Sequence, residues 1–129
     1  MTRPSIKAAL VLTAFCAGCD DSPTAPTRGA FATFAVDNET FRVRLIGDEQ
    51  VAAARAAHAG GAANIPIGRI VSGTQVNRGW SWHLEDLAFV EVTVEVCDGR
   101  PSDVERQGTR FGDGRYCPWT ARIASIERE

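Results

Sequence analysis

From Phe89 to Cys97 the chain reads FVEVTVEVC, with valine at every second position and Glu91, Thr93 and Glu95 between. Side chains on a strand point alternately to two faces, so Val90, Val92, Val94 and Val96 are expected on a core and the polar set in solvent. This is the strongest strand signal in the sequence. It predicts a sheet with one buried face. Shorter runs repeat the pattern. In Phe41–Ile46 (FRVRLI), Phe41, Val43 and Leu45 oppose Arg42 and Arg44. In Trp80–Leu84 (WSWHL), Trp80, Trp82 and Leu84 oppose Ser81 and His83. Phe31–Val36, Ile67–Ser72 and Trp119–Ile126 are further strand candidates, and the turn-forming Asp37–Thr40 makes a hairpin of Phe31–Val36 and Phe41–Ile46.

Two segments break the period of two. Asp48 is placed as an N-cap, Glu49–Ala59 reads as an alanine-rich helix ended by Gly60-Gly61, and Val51, Ala54 and His58 share one stripe. Ser102-x-x-Glu105 has the form of a capping box and predicts at most two further helical turns before Gly108. Gly108–Tyr116 reads as a loop. The fold expected is α+β: a single small domain, mainly antiparallel sheet, with one packed helix and one disulfide.

The N-terminus is an address. Met1–Lys7 carries two bases and no acid, and Ala8–Phe15 is an apolar core too short to span a bilayer. Ala17-Gly18-Cys19 resembles a bacterial lipobox, which implies cleavage before Cys19 and acylation of its thiol. Phe15 at the cut position disfavours Cys16 as acceptor. The plainer alternative is an ordinary secretory signal releasing a soluble protein. Asp20–Arg28, with two prolines and no apolar run, reads as an extended tether. The expected organisation is signal peptide 1–18, lipidated cysteine and flexible tether 19–29, and globular domain 30–129. The expected location is the bacterial cell envelope, membrane-anchored through acyl chains on Cys19 and facing the periplasm or exterior.

Charge narrows the partners. The chain has 14 basic and 16 acidic residues; losing Arg3 and Lys7 with the signal leaves net −4. A nucleic-acid binder would carry a basic excess. Of four cysteines, Cys97 and Cys117 remain for the folded domain. A disulfide is the simplest account outside the cytoplasm. A zinc or redox pair is the alternative, with His58 and His83 as the available nitrogen ligands.

GRIVSG from Gly68, VNRGWSWHL from Val76, FVEVTVEVCDGRPSDVE from Phe89 and CPW from Cys117 together resemble the N-terminal domain of a eukaryotic calmodulin-binding protein, a domain shared with small bacterial secreted proteins. The resemblance covers roughly Phe31–Ile123 and is most specific at Trp80–Leu84 and Glu95–Ser102. Its members carry a second cysteine in Cys-Pro-Trp, matched by Cys117-Pro118-Trp119, which implies Cys97–Cys117 pairing. The family's turn after His-Leu is longer than Glu85–Ala88 here. The resemblance implies no catalytic residues, an exported bacterial protein meets no calmodulin, and no EF-hand loop is present.

Candidate sites follow from shared faces. His83 and Glu85 project from one strand face and could hold a divalent metal, with Glu91 or Glu95 on a paired strand. Alternatively they form a solvated face opposite Arg42 and Arg44. Asp98 and Arg100, after a strand end beside the cysteines, could bind a ligand or could serve the turn. Trp80, Trp82 and Trp119 could line a carbohydrate platform, although Trp82 and Trp119 are expected in the core. His58 suits the C-terminal end of its helix. There is no G-x-S-x-G, P-loop or H-E-x-x-H. The role expected is a membrane-anchored binding or interaction module meeting an envelope protein or small ligand. The alternatives are a small metal-dependent envelope enzyme and an inhibitor of extracytoplasmic hydrolases. No cofactor is implied beyond that divalent metal.

Overall fold

The computed structural model of the chain describes residues 29–93 and 96–129. The expected signal peptide, Cys19 and nearly all of the expected tether lie outside the described residues, as do positions 94–95. The elements in order are β1 (Ala30–Val36), β2 (Glu39–Leu45), α1 (Gly47–His58), β3 (Ile65–Ser72), β4 (Trp82–Val90), α2 (Pro101–Gln107), a kinked 3-10 segment (Gly108–Gly114), β5 (Arg115–Tyr116) and β6 (Arg122–Arg128). They form two antiparallel three-stranded sheets, ordered β2-β1-β6 and β4-β3-β5. Among the described residues no helix is long and apolar enough to cross a membrane.

The hairpin forms as its pattern predicts. Ala30, Ala32, Phe34 and Val36 of β1 are buried with Phe41, Val43 and Leu45 of β2. Phe34 faces Phe41 in register, and their rings stack 5.0 Å apart. The turn is tighter than expected, with Glu39 and Thr40 already in strand and Asp37 at φ 54, a left-handed conformation Asp tolerates. Aromatic rings then join the sheets. Phe41 lies 5.8 Å from Trp82 and 5.3 Å from Tyr116, and Trp82 meets Tyr116 edge-on at 5.5 Å. Such contacts add specificity to the area these large rings bury.

The valine run does not form the strand its pattern promised. β4 is one strand, Trp82–Val90, joining the separately expected Trp80–Leu84 and the start of Phe89–Cys97. Its partner β3 begins at Ile65, which faces Val90, so the β3–β4 ladder ends at Val90. Val92 is 76% exposed and Val96 94% exposed. A register shift between Ile67 and Arg69, with Asp86 at φ 55, also reverses the phase within β4. Trp82 and Leu84 are buried before it and Leu87 after it. Val90 therefore packs on a small second cluster of Ile67, Cys97 and Cys117.

Both helices begin earlier than expected. Ile46, not Asp48, caps α1, and the Gln50 side chain accepts the Ile46 N–H at 2.8 Å. Ala54 is fully buried, whereas His58 at the end of α1 is exposed. Pro101 takes the first position of α2, where its fixed φ and missing N–H cost nothing. Asp103, not Glu105, reaches back to accept the Arg100 N–H at 2.8 Å. Trp119 is a further correction: it is 51% exposed in the turn before β6, where Ala121 donates to the Pro118 carbonyl.

Cys97 and Cys117 are joined, with Cα atoms 5.1 Å apart, and both are fully buried. The Cys117 N–H donates to the Cys97 carbonyl at 2.8 Å. Gly99 is required nearby, since a Cβ there would sit 2.9 Å from the Phe111 ring.

Candidate functional site

His83 and Glu85 share the solvent face of β4, and β3 supplies the partner that sequence reasoning missed. Arg69 stands opposite Glu85 in register. The Arg69 guanidinium donates to Glu85 Oε2 at 2.8 Å and, through Nε, to Asp86 Oδ2 at 3.2 Å. The hydrogen bond to Asp86, with the charges of both acids, favours the charged guanidinium and raises the Arg69 pKa above its ordinary value. His83 Nε2 lies 3.2 Å from Glu85 Oε1. A continuous polar chain therefore runs His83–Glu85–Arg69–Asp86. The charge partners are not those expected. Arg42 lies 4.0 Å over the Phe31 ring and donates to the Val76 carbonyl, and Arg44 pairs with Glu129 at 2.7 Å.

The imidazole is oriented by its surroundings. Only 16% of its side chain is exposed. Nδ1 is buried without a hydrogen-bond partner among the described residues, and a Cβ on Gly73 would lie 3.4 Å from the ring. Glu85 as an acceptor places the proton of a neutral ring on Nε2, where it is donated to Glu85. The start of β4 is tied to β2 by Asn77, 1% exposed, which accepts from the Arg42 N–H at 2.8 Å and donates to the Trp82 carbonyl at 3.0 Å.

This chain borders a groove of about 420 Å³ lined by Arg44, Gln50, Val76, His83, Glu85 and Asp86, with Ile46, 66% exposed, on its lip. A volume of that order suits a small ligand or a few side chains of a partner. Metal is a poor fit. The guanidinium occupies the carboxylate that would bind a cation, and among the described residues no three His, Cys, Asp or Glu side chains converge. Glu91 lies past the end of β4, and Glu95 is outside the described residues.

Asp98 and Arg100 are not among the groove residues. Asp98 Oδ1 accepts from the N–H of Gly99 at 3.0 Å and of Trp119 at 2.9 Å, which pins the segment after Cys117 to the turn after Cys97. The Arg100 guanidinium lies 4.0 Å from Asp103. Trp80 is half-buried and donates from Nε1 to the Thr40 carbonyl at 2.8 Å. Its ring is tilted 37° to Trp82. With Trp82 buried and Trp119 in a separate turn, the three indoles make no shared platform. Arg69, Asp86 and Gln50 carried no signal of their own; their placement depends on the register of β3 against β4 and on the early start of α1.

Residues 28–129 match the family described as the BP-74 N-terminal domain, and the chain belongs to that family. No curated protein and no solved structure matches the chain.

Proposed function

We propose that this member of the family is a binding module, held at a bacterial cell envelope through acyl chains on Cys19. The observation that carries the binding reading is the His83–Glu85–Arg69–Asp86 chain beside the groove. Four polar side chains are held by paired strands rather than by a loop, which suits recognition that needs fixed donors and acceptors. The groove residues include no serine, threonine or cysteine to act as a nucleophile. Ile46 adds an apolar contact at the rim. The lipobox-like Ala17-Gly18-Cys19 and the proline-containing tether support the anchored placement.

The test uses the full chain expressed in a Gram-negative host, with a photo-crosslinking residue at Gln50. The expected result is a discrete adduct that is lost in Glu85→Gln and Arg69→Gln variants of unchanged melting temperature. Adducts identical in parent and variants would overturn the reading. A partner enzyme that loses activity in the adduct would make the module an inhibitor. Fatty-acid-analogue labelling should vanish in Cys19→Ala, and persistent labelling would remove the anchor.

A further inference from the structure

Between β3 and β4 the chain is fastened to β2 on both sides of Arg78. Asn77 Oδ1 accepts the Arg42 N–H at 2.8 Å, and Arg42 Nε donates to the Val76 carbonyl at 2.9 Å. Past Arg78, the Trp80 N–H donates to the Asn77 carbonyl at 3.1 Å, and its Nε1 donates to the Thr40 carbonyl at 2.8 Å. Arg78 and Arg42 line a cavity of about 190 Å³ together with Thr33, Thr40, Phe41 and Asn77. None of these lining residues is acidic. In this chain, acidic residues outnumber basic ones by 16 to 14, and Arg44, Arg69, Arg100 and Arg106 each face a carboxylate. Among the described residues, Arg42 and Arg78 have no ion pair, and Arg78 has no hydrogen bond either. Glu127, which faces Phe31 across the β1–β6 ladder, pairs with neither. Arg42 uses only Nε, on a neutral carbonyl, and its guanidinium rests 4.0 Å over the Phe31 ring. Its orientation is therefore fixed while four terminal N–H donors remain. Two cations brought to one cavity without a carboxylate repel, and an anion between them relieves the repulsion.

We infer that this cavity binds a phosphoryl group, such as a phosphate ester or a phospholipid headgroup carries. Guanidinium N–H pairs match the spacing of phosphate oxygens, and hydroxyls supply further donors. Thr33 and Arg42 stand opposite each other in the β1–β2 register, and Thr40 lies two residues from Arg42 on the same face of β2. The donors thus come from two strands and from the segment that carries Arg78. One guanidinium already satisfies a planar carboxylate in bidentate fashion, whereas donors from several directions suit a tetrahedral oxyanion. The cavity shares no lining residue with the His83 groove, so the two readings are independent.

The experiment uses the full chain carrying Cys19→Ala, so that no acyl chain contributes to binding. One arm titrates it with methyl phosphate and with acetate at fixed ionic strength, following the backbone amides of Thr40, Asn77, Arg78 and Gly79. The other arm measures attachment to phosphatidylcholine vesicles with and without phosphatidylglycerol. Saturable binding of the phosphoryl probe is expected, tighter than that of acetate by about tenfold or more, the scale of an added charge-assisted contact. Arg78→Gln should weaken binding by about tenfold or more at unchanged melting temperature, because Arg78 is exposed and has no contact to lose. Arg78→Lys keeps the charge without the fork and should fall between. Binding of methyl phosphate supports the proposal with a soluble phosphate ester as ligand. Attachment only to vesicles containing phosphatidylglycerol, weakened by Arg78→Gln, supports it with a lipid headgroup as ligand. Acetate binding as tightly as methyl phosphate, no saturable binding in either arm, or Arg78→Gln binding like the parent would overturn it. Shifts confined to His83 and Gln50 would overturn it while leaving the groove reading intact.

Discussion

The carboxylate of Glu105 on α2 accepts both hydrogen bonds that Ser81 can donate, from the backbone N–H at 2.9 Å and from Oγ at 2.8 Å. A second clamp of the same kind holds the other end of the helix. Glu39 on β2 accepts from the Ser102 N–H at 3.2 Å and Oγ at 2.9 Å. Seven residues are too few for a helix to persist on its own propensity. α2 is therefore held by side chains from the hairpin and from the connection entering β4. Through Ser81 it fixes the approach to Trp82 and His83.

Removing one clamp should loosen that approach. Glu105→Ala is expected to cost about 1–2 kcal/mol, the net value of two hydrogen bonds to a charged acceptor at an exposed site. Ser81→Ala should cost less, since its backbone N–H still reaches Glu105. In a double-mutant cycle followed by urea unfolding, the two losses should sum to more than the double variant's loss. Strict additivity would show that the clamp contributes no coupling.

The exposed valines make a test against the sequence pattern. Val96→Ser should change stability by less than about 0.5 kcal/mol, as surface substitutions do. Val43→Ser, at a fully buried position of the same residue type, should cost several-fold more. Trp119→Ala and Trp82→Ala form a parallel pair, about 1 kcal/mol or less against roughly 3–5 kcal/mol. Equal urea midpoints within either pair would contradict the exposures found.

Those pairs also mark where sequence reading succeeds and stops. The β1–β2 hairpin was legible because both strands carry one-sided patterns and the chain turns between them. Alternation at Val92–Val96 reports only how residues would sort if the segment were paired, and pairing ends where β3 begins at Ile65. Trp119 is large and apolar, yet its turn is pinned through the Asp98 carboxylate rather than through its ring. His83 and Glu85 were readable as a shared face. Their link to Arg69 and Asp86 was not, because it needs the register shift near Gly68 and a left-handed Asp86 that residue spacing does not encode.

The Cys97–Cys117 bond ties the turn before α2 to the segment that follows β5. The 20-residue separation corresponds to roughly 3 kcal/mol of loop entropy in the unfolded chain. Replacing both cysteines with serine is expected to lower unfolding free energy by roughly 2–5 kcal/mol. Denatured, unreduced domain should expose no titratable thiol at these two positions. Two thiols, or an unchanged urea midpoint on replacement, would count against the bridge as a stabilising element.

Tyr116 gives the fold an alkaline limit. Burial, reinforced by the negative charges of Asp98, Glu39, Asp103 and Asp37, pushes its phenol well above the ordinary value of 10.0. Its hydroxyl also donates to the Gly99 carbonyl at 2.8 Å, a bond that requires the protonated form. The folded state therefore keeps this proton at a pH where the unfolded chain releases it. Stability from this group is complete below about pH 10, the unfolded value, and falls as pH rises above it. The sequence contains one tyrosine and one lysine, Lys7, so few other groups titrate in this range. Phenolate absorbance should stay low until the protein unfolds and then rise in step with loss of the native signal. Tyr116→Phe should flatten the decline above pH 10 while costing about 1 kcal/mol at neutral pH for the lost hydrogen bond. A phenolate signal that develops near pH 10 in protein still folded by circular dichroism would show that Tyr116 is not held as the structure places it.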